Sequence, residues 1–188
     1  MTQPDPKPRA PGAPDEGLIV QAVERAAAMT RAGAAPRQIL ASLASAGERL
    51  GGPGAVCSIL VLDSEGLLRN GASPNLPADY LDAIDRLKPD ANVGTCAAAA
   101  ATNAVVVTPD FRADDKWAEL RHLPLSLGFV GAWSMPIRSA AGAVIGTFGT
   151  YFRVSRRPTS HEMLSMERLA AAAAKVIGLP AGGLAAAT

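Results

Sequence analysis

At 188 residues the chain is long enough for one domain with a full hydrophobic core and too short for two large ones. Its 18 Lys+Arg balance 17 Asp+Glu, so charge gives no reason to expect nucleic acid or an anionic membrane as a partner. Hydrophobic residues make up 48% but aromatic ones only 4%, which predicts a core of Ala, Val, Leu and Ile and makes each aromatic residue informative.

Residues 1–14 (MTQPDPKPRAPGAP) are proline-rich with almost nothing to bury, which predicts a disordered or polyproline-like arm. Residues 15–179 read as a single domain, and 180–188 as a frayed tail. From Glu16, the spacing of Leu18, Ile19, Ala22, Ala26 and Met29 predicts a helix that Gly33 ends. Pro36 suits the first turn of a second helix, striped by Ile39, Leu40, Leu43 and Leu50 and stopped at Gly51-Gly52. Residues 55–62 form a β-rich run, 63–66 a polar turn and 67–72 a shorter strand, which together predict a hairpin. Helical spacing returns over 76–87 through Tyr80, Leu81, Ile84 and Leu87.

The stretch from Val93 to Ala100 follows. Gly94 supplies a hinge, Thr95 a side chain able to cap a helix, and residues 96–101 a short helix of small side chains. Such a helix suits the lid of a small-molecule pocket. Val105–Val107 reads as a strand, and residues 110–117 as a polar loop ending on Trp117. A short helix over 117–127 is expected to break or bend at Pro124. Residues 129–137 and 143–152 predict a second hairpin about a turn at 139–142. Gly146 and Gly149 within it mark close approach of a ligand or another backbone. Thr159 and Glu162 form a capping box for a last helix through Met163, Met166, Leu169, Ala173 and Ile177, ended by Gly178 and Pro180. These elements predict an α+β domain with helices grouped against a central antiparallel sheet.

In their order and spacing, Cys57-Ser-Ile-Leu-Val-Leu-Asp63, Val93-Gly-Thr-Cys96, Trp133-Ser-Met-Pro-Ile137 and Val144-Ile-Gly-Thr-Phe148 resemble a GAF domain. The likeness is to the sensory branch of bacterial signalling proteins, and Pro74-Asn-Leu-Pro77 with Tyr80 is similar to a further feature of that branch. The resemblance implies a six-stranded antiparallel sheet, with N- and C-terminal helices on one face and a ligand pocket on the other. It also implies dimerisation through the terminal helices. The chain departs from the branch at Ala97, at Thr102-Asn-Ala-Val105 and at Ala132, so ligand identity does not carry over and the cofactor is unknown.

The candidate ligand-binding residues are Thr95, Cys96, Asp110, Phe111, Trp117, Trp133, Ser134 and Phe148. Cys96, near a helix start, is weighed as a thiolate but read chiefly as pocket wall, and Cys57 as core. Trp117 and Trp133 can stack on a flat ligand or simply pack. Strand alternation sets Trp133 and Met135 on one face and Ala132 and Ser134 on the other, so one pair alone can line the pocket. Asp110, Asp114 and Asp115 are read as turn formers or as hydrogen-bond partners of a ligand. His122 and His161 have no company resembling a metal site, although some GAF sensors hold haem. Arg153, Arg156 and Arg157 suit a solvated turn or a junction across a dimer.

The expectation is therefore a non-enzymatic, cytoplasmic, homodimeric sensory module with no catalytic or metal-binding residue, no nucleic-acid or membrane partner, and a small-molecule ligand beneath residues 93–117. Either a separate output protein receives the signal or the chain is a piece of something longer. The alternatives are an enzyme like the free methionine sulfoxide reductases using Cys96, and a dimerisation module without a ligand.

Overall fold

The computed structural model describes residues 16–179, so the predicted arm at 1–14 and tail at 180–188 lie outside the described residues. Two helices open the fold, α1 (Glu16–Arg31) and α2 (Pro36–Gly51). Strands β1 (Val56–Leu62) and β2 (Leu68–Ala72) form the first hairpin. There follow α3 (Ala78–Ala83), α4 (Thr95–Thr102), β3 (Val106–Thr108), two single-turn 3-10 helices (Phe111–Ala113 and Asp115–Trp117) and α5 (His122–Ser126). The second hairpin, β4 (Gly131–Arg138) and β5 (Val144–Phe152), leads to α6 (Ser160–Ile177).

All strands pair antiparallel in one sheet of order β2-β1-β5-β4-β3. Register across the three central strands sorts the side chains into two faces, since directly opposed residues point the same way. Cys57, Thr150 and Trp133 form one row, and Ile59, Phe148 and Met135 the next. These face α2 and α6, joining a core with Ile39, Leu40, Leu43, Met166, Leu169 and Ala173. On the other face the rows are Val56, Tyr151, Ala132, then Ser58, Gly149, Ser134, then Leu60, Thr147, Pro136. Helix α4 packs over this second face.

The start of α6 is fixed as its sequence predicts. Thr159 Oγ1 accepts from the Glu162 N–H at 3.1 Å, and the Glu162 carboxylate accepts from the Thr159 N–H at 2.7 Å. Arg156 adds to this joint. Its guanidinium lies 3.8 Å over the Phe152 ring and donates to Glu162 and to the Gly51 carbonyl, tying the ends of β5 and α2 to the start of α6.

In its secondary structure the protein departs from sequence expectation at the sheet edge, in α3 and around Trp117. The sheet has five strands where the resemblance implies six. Beside β2 the chain makes only a single bridge, with Leu68 N–H donating to Leu87 O at 2.9 Å and Arg86 N–H to Leu68 O at 3.0 Å. Arg86 sits at φ +63°, and Pro89 three residues later has no N–H to extend the ladder. The same bridge takes Leu87 out of the expected helix, so α3 ends at Ala83. Third, Trp117 closes a 3-10 turn instead of opening a helix. Helix α5 begins at His122, which leaves Pro124 in its first turn, where no amide donor is required.

Candidate functional site

Helix α4 begins abruptly because Gly94, at φ +52°, turns the chain onto the sheet. A side chain is strained there, and an added Cβ would also lie 3.6 Å from the Trp117 ring. Thr95 does not cap the helix as its sequence suggests, because no side-chain cap bond forms and the hydroxyl points inward. Alanines 97–100 are all buried, and their small side chains let the helix lie close on the strands.

Beneath α4 the polar side chains of the second sheet face converge. Ser134 Oγ donates to Thr95 Oγ1 at 2.9 Å, and Cys96 Sγ lies 3.1 Å from Ser134 Oγ. A hydroxyl has one proton, so Ser134, already donating to Thr95, accepts from the Cys96 thiol. Gly149 is the gap that makes room for this arrangement. A Cβ built there would sit 3.0 Å from Cys96 Sγ, 3.0 Å from Ser58 Oγ and 3.2 Å from Ser134 Oγ. Toward α3, Tyr80 donates its hydroxyl to that of Tyr151 at 3.0 Å, with the rings edge to face.

Every member of this cluster is uncharged. Burial pushes the Cys96 thiol up from its ordinary pKa, and the facing hydroxyls of Ser134, Thr147, Ser58 and Thr95 only partly oppose that rise. Burial likewise raises both tyrosines. Desolvation thus outweighs whatever the start of α4 offers a thiolate. Among the described residues, Ser58 Oγ and Thr147 Oγ1 are buried yet make no hydrogen bond of ordinary geometry, and neither do Trp117 Nε1 and, in the helix-side core, Trp133 Nε1. Such orphans are uncommon, since a buried hydroxyl normally finds a partner.

The loop over 109–117 walls one side. Phe111 is buried and packs 4.4 Å from Trp117, between centroids. Gly94 N–H donates to Lys116 O at 2.7 Å, which joins the loop to the start of α4. The aspartates do structural work on its outer side. Asp110 accepts from Arg112 N–H, and Asp114 accepts from Lys116 N–H and Thr108 Oγ1 and pairs with Lys116 Nζ at 2.8 Å. Burial alone would raise the Asp114 carboxyl, but these bonds hold it below the usual range. An open cleft of about 590 Å³ lies beyond, lined by Asn92, Asp110, Asp114, Asp115, Lys116 and Arg157.

Of the residues singled out in the sequence, Thr95, Cys96 and Ser134 meet directly, with Phe111 and Trp117 in the adjoining wall. Asp110 faces the outer cleft. Trp133 and Phe148 belong to the opposite face and are packed in the helix-side core, while the alternation of β4 sets Ala132 and Ser134 on the face that α4 covers. Sequence reasoning marked Gly149 as a point of close approach but missed Ser58, Thr147 and Tyr151. The available signal was parity: Ser58 interrupts an apolar strand, and Thr147, Gly149 and Tyr151 alternate along another. No group of three His, Cys, Asp or Glu among the described residues can hold a metal ion.

The GAF domain family model matches residues 33–178, and the chain belongs to that family. Over 112 residues, 59% of this chain, it is 34% identical to the methyl sulfide methyltransferase-associated sensor of Methanosarcina acetivorans, and it spans 11% of that sensor's length. Among solved structures it is similar to the GAF domain of a phosphoenolpyruvate-protein phosphotransferase from Coxiella burnetii, with a TM-score of 0.68 at 17% identity over 87% of this chain and 94% of that one. It is also similar to the free methionine-R-sulfoxide reductase of Neisseria meningitidis, with a TM-score of 0.66 at 19% identity over 85% of this chain and 86% of that one. At these identities the two structures speak to the fold alone.

Proposed function

We propose that this GAF domain is a sensory module that binds a small molecule non-covalently beneath α4 and passes occupancy to its terminal helices. The observation that carries this is the convergence of hydroxyl and thiol groups on Gly149, on the sheet face opposite the main core. Polar groups gathered under a helix of alanines cost stability that an apolar filling would not. The similarity to a sensor over 59% of the chain supports the same reading.

Access would come from movement of α4 about Gly94. The other end of the helix is held, because Arg138 donates to Asn103 Oδ1 at 2.7 Å and to Asn103 O at 2.8 Å. Transmission would run through β4, where Ser134 belongs to the site while its neighbour Trp133 packs with Met166 of α6. Ligand binding then favours one arrangement of lid and helices, which is a population shift. An apolar groove of about 420 Å³ between α1 and α6, lined by Val23, Ala27, Ala171, Val176 and Leu179, together with Leu164 at 60% exposure, suits a second copy of the chain. A cytoplasmic homodimer acting on a separate output protein fits these features. No helix among the described residues is long and apolar enough to cross a membrane.

The competing enzyme reading, a reductase with Cys96 as nucleophile, requires a thiolate, and burial opposes one. Native mass spectrometry of gently purified protein tests the proposal. A dimer carrying extra mass that dissociates on denaturation is the expected result. A bare monomer, or sulfoxide turnover lost in Cys96→Ser, would overturn it.

A further inference from the structure

Two buried hydroxyls in the site lack a well-formed hydrogen bond. Ser58 Oγ and Thr147 Oγ1 come from residues at 0% exposure, lie on the sheet face that α4 covers, and face the Cys96 thiol without a hydrogen bond of ordinary geometry among the described residues. Ser134 and Thr95, a few ångströms away, satisfy each other. Alanine or valine could fill both positions without orphaning a polar atom, so a hydroxyl at each has its simplest use in a partner that arrives from outside.

The surroundings restrict that partner's chemistry. Among the described residues, no Asp, Glu, Lys, Arg or His is fully buried. In the adjoining wall, Asp114 and Lys116 are paired with each other on its outer side. An anion or cation entering beneath α4 would lose its water and meet no counter-charge. The start of α4 offers an anion a partial positive charge, but that attraction is several-fold smaller than the desolvation penalty of an unpaired ion. Hydroxyls donate and accept, so they serve an uncharged polar group well. Leu60, Leu68, Ala97 and Ala100 adjoin them and offer apolar contact to the rest of such a molecule.

Resting on the ligand-binding reading given under Proposed function, we propose that Ser58 and Thr147 are ligand-receiving residues and that the site takes a small uncharged molecule with one hydrogen-bonding end and an apolar body. Carboxylates, ammonium compounds and zwitterions, free amino acids among them, are excluded.

Three near-isosteric probes test this: butyramide, butyrate and n-butylammonium, each titrated against the full chain with thermal unfolding as readout. Butyramide near tenfold saturation should raise Tm by about 3 to 6 °C, while the two ions leave it unchanged. Ser58→Ala and Thr147→Val should each weaken the butyramide response about tenfold. Their own Tm should equal or exceed that of the unmodified chain, because each removes an orphaned polar atom. An equal or larger response to either ion overturns the uncharged class and leaves the ligand-binding reading standing. Absence of any response, or variants that are clearly less stable, assigns the hydroxyls a structural role and overturns the proposal. The broader reading is judged separately, by mass retained in the native spectrum.

Discussion

The two faces of the sheet are made by the same strands and built for opposite ends. On the helix side, Ile59, Phe148, Met135 and Trp133 interlock with α2 and α6 in a nearly continuous apolar core. On the α4 side the matching rows carry Ser58, Gly149, Ser134 and Thr147 under a layer of alanines. Alternation along a strand therefore separates the residues that hold the fold from those that give it an interior chemistry. A substitution on one side should cost stability, and its immediate neighbour on the other side should cost ligand response.

Trp133→Ala tests that contrast most harshly. It empties a large site in the helix-side core and should cost about 3–5 kcal/mol, read as a lower urea midpoint. A small cavity already borders Trp133, Thr150 and Met166, so the lost ring would enlarge an existing void. Gly149→Ala should cost less, about 1–3 kcal/mol, because the new methyl meets Cys96, Ser58 and Ser134 at 3.0–3.2 Å. Its diagnostic effect is loss of butyramide response with the fold retained, seen by circular dichroism beside the titration.

Glu162 probes the joint behind both faces. Glu162→Ala removes the capping box and the Arg156 pair and should cost about 1–2 kcal/mol at neutral pH. Burial pushes the Glu162 carboxyl up, but the bonds from Arg156 and Thr159 prevail and hold it below its ordinary pKa. A depressed carboxyl stabilises fully above its unfolded pKa of about 4.3, and that contribution is lost as pH falls through the folded value. Unfolding midpoints followed from pH 6 to about 2 should show this loss in the natural chain and a smaller one in Glu162→Gln. The smallest expected effect is chemical: iodoacetamide should leave Cys57 and Cys96 unlabelled in the native state, since burial raises both thiols, and should label both in urea.

Much of the helix side was legible in the sequence. The α2 and α6 stripes, the Thr159 and Glu162 box and both hairpins follow from periodicity and capping, which are local signals. The site side was half legible. Parity grouped Ser134 with Ala132 and against Trp133, but which group met the lid depends on sheet order and on where the helices dock. That is why Trp133 and Phe148, attractive as large residues in family motifs, belong to the core instead. Ser58 and Thr147 carry no signal as lone hydroxyls in apolar strands until strand register sets the row Ser58, Gly149, Ser134 beside the row Leu60, Thr147, Pro136. The absent sixth strand and the shortened α3 share a cause in Arg86 and Pro89, where backbone geometry overrode a helical pattern.

The bridge at Leu68 has a consequence for how this protein behaves in crowded solution. A sheet's outer strands offer unpaired amides and carbonyls to any neighbour, and long flat ones template aggregation. Here one flank is the five-residue β2, met by Leu87 and then by a proline, and the other is β3, only three residues long. Both flanks are too short to recruit a foreign strand over any distance. Edge-to-edge pairing through the sheet is thereby disfavoured.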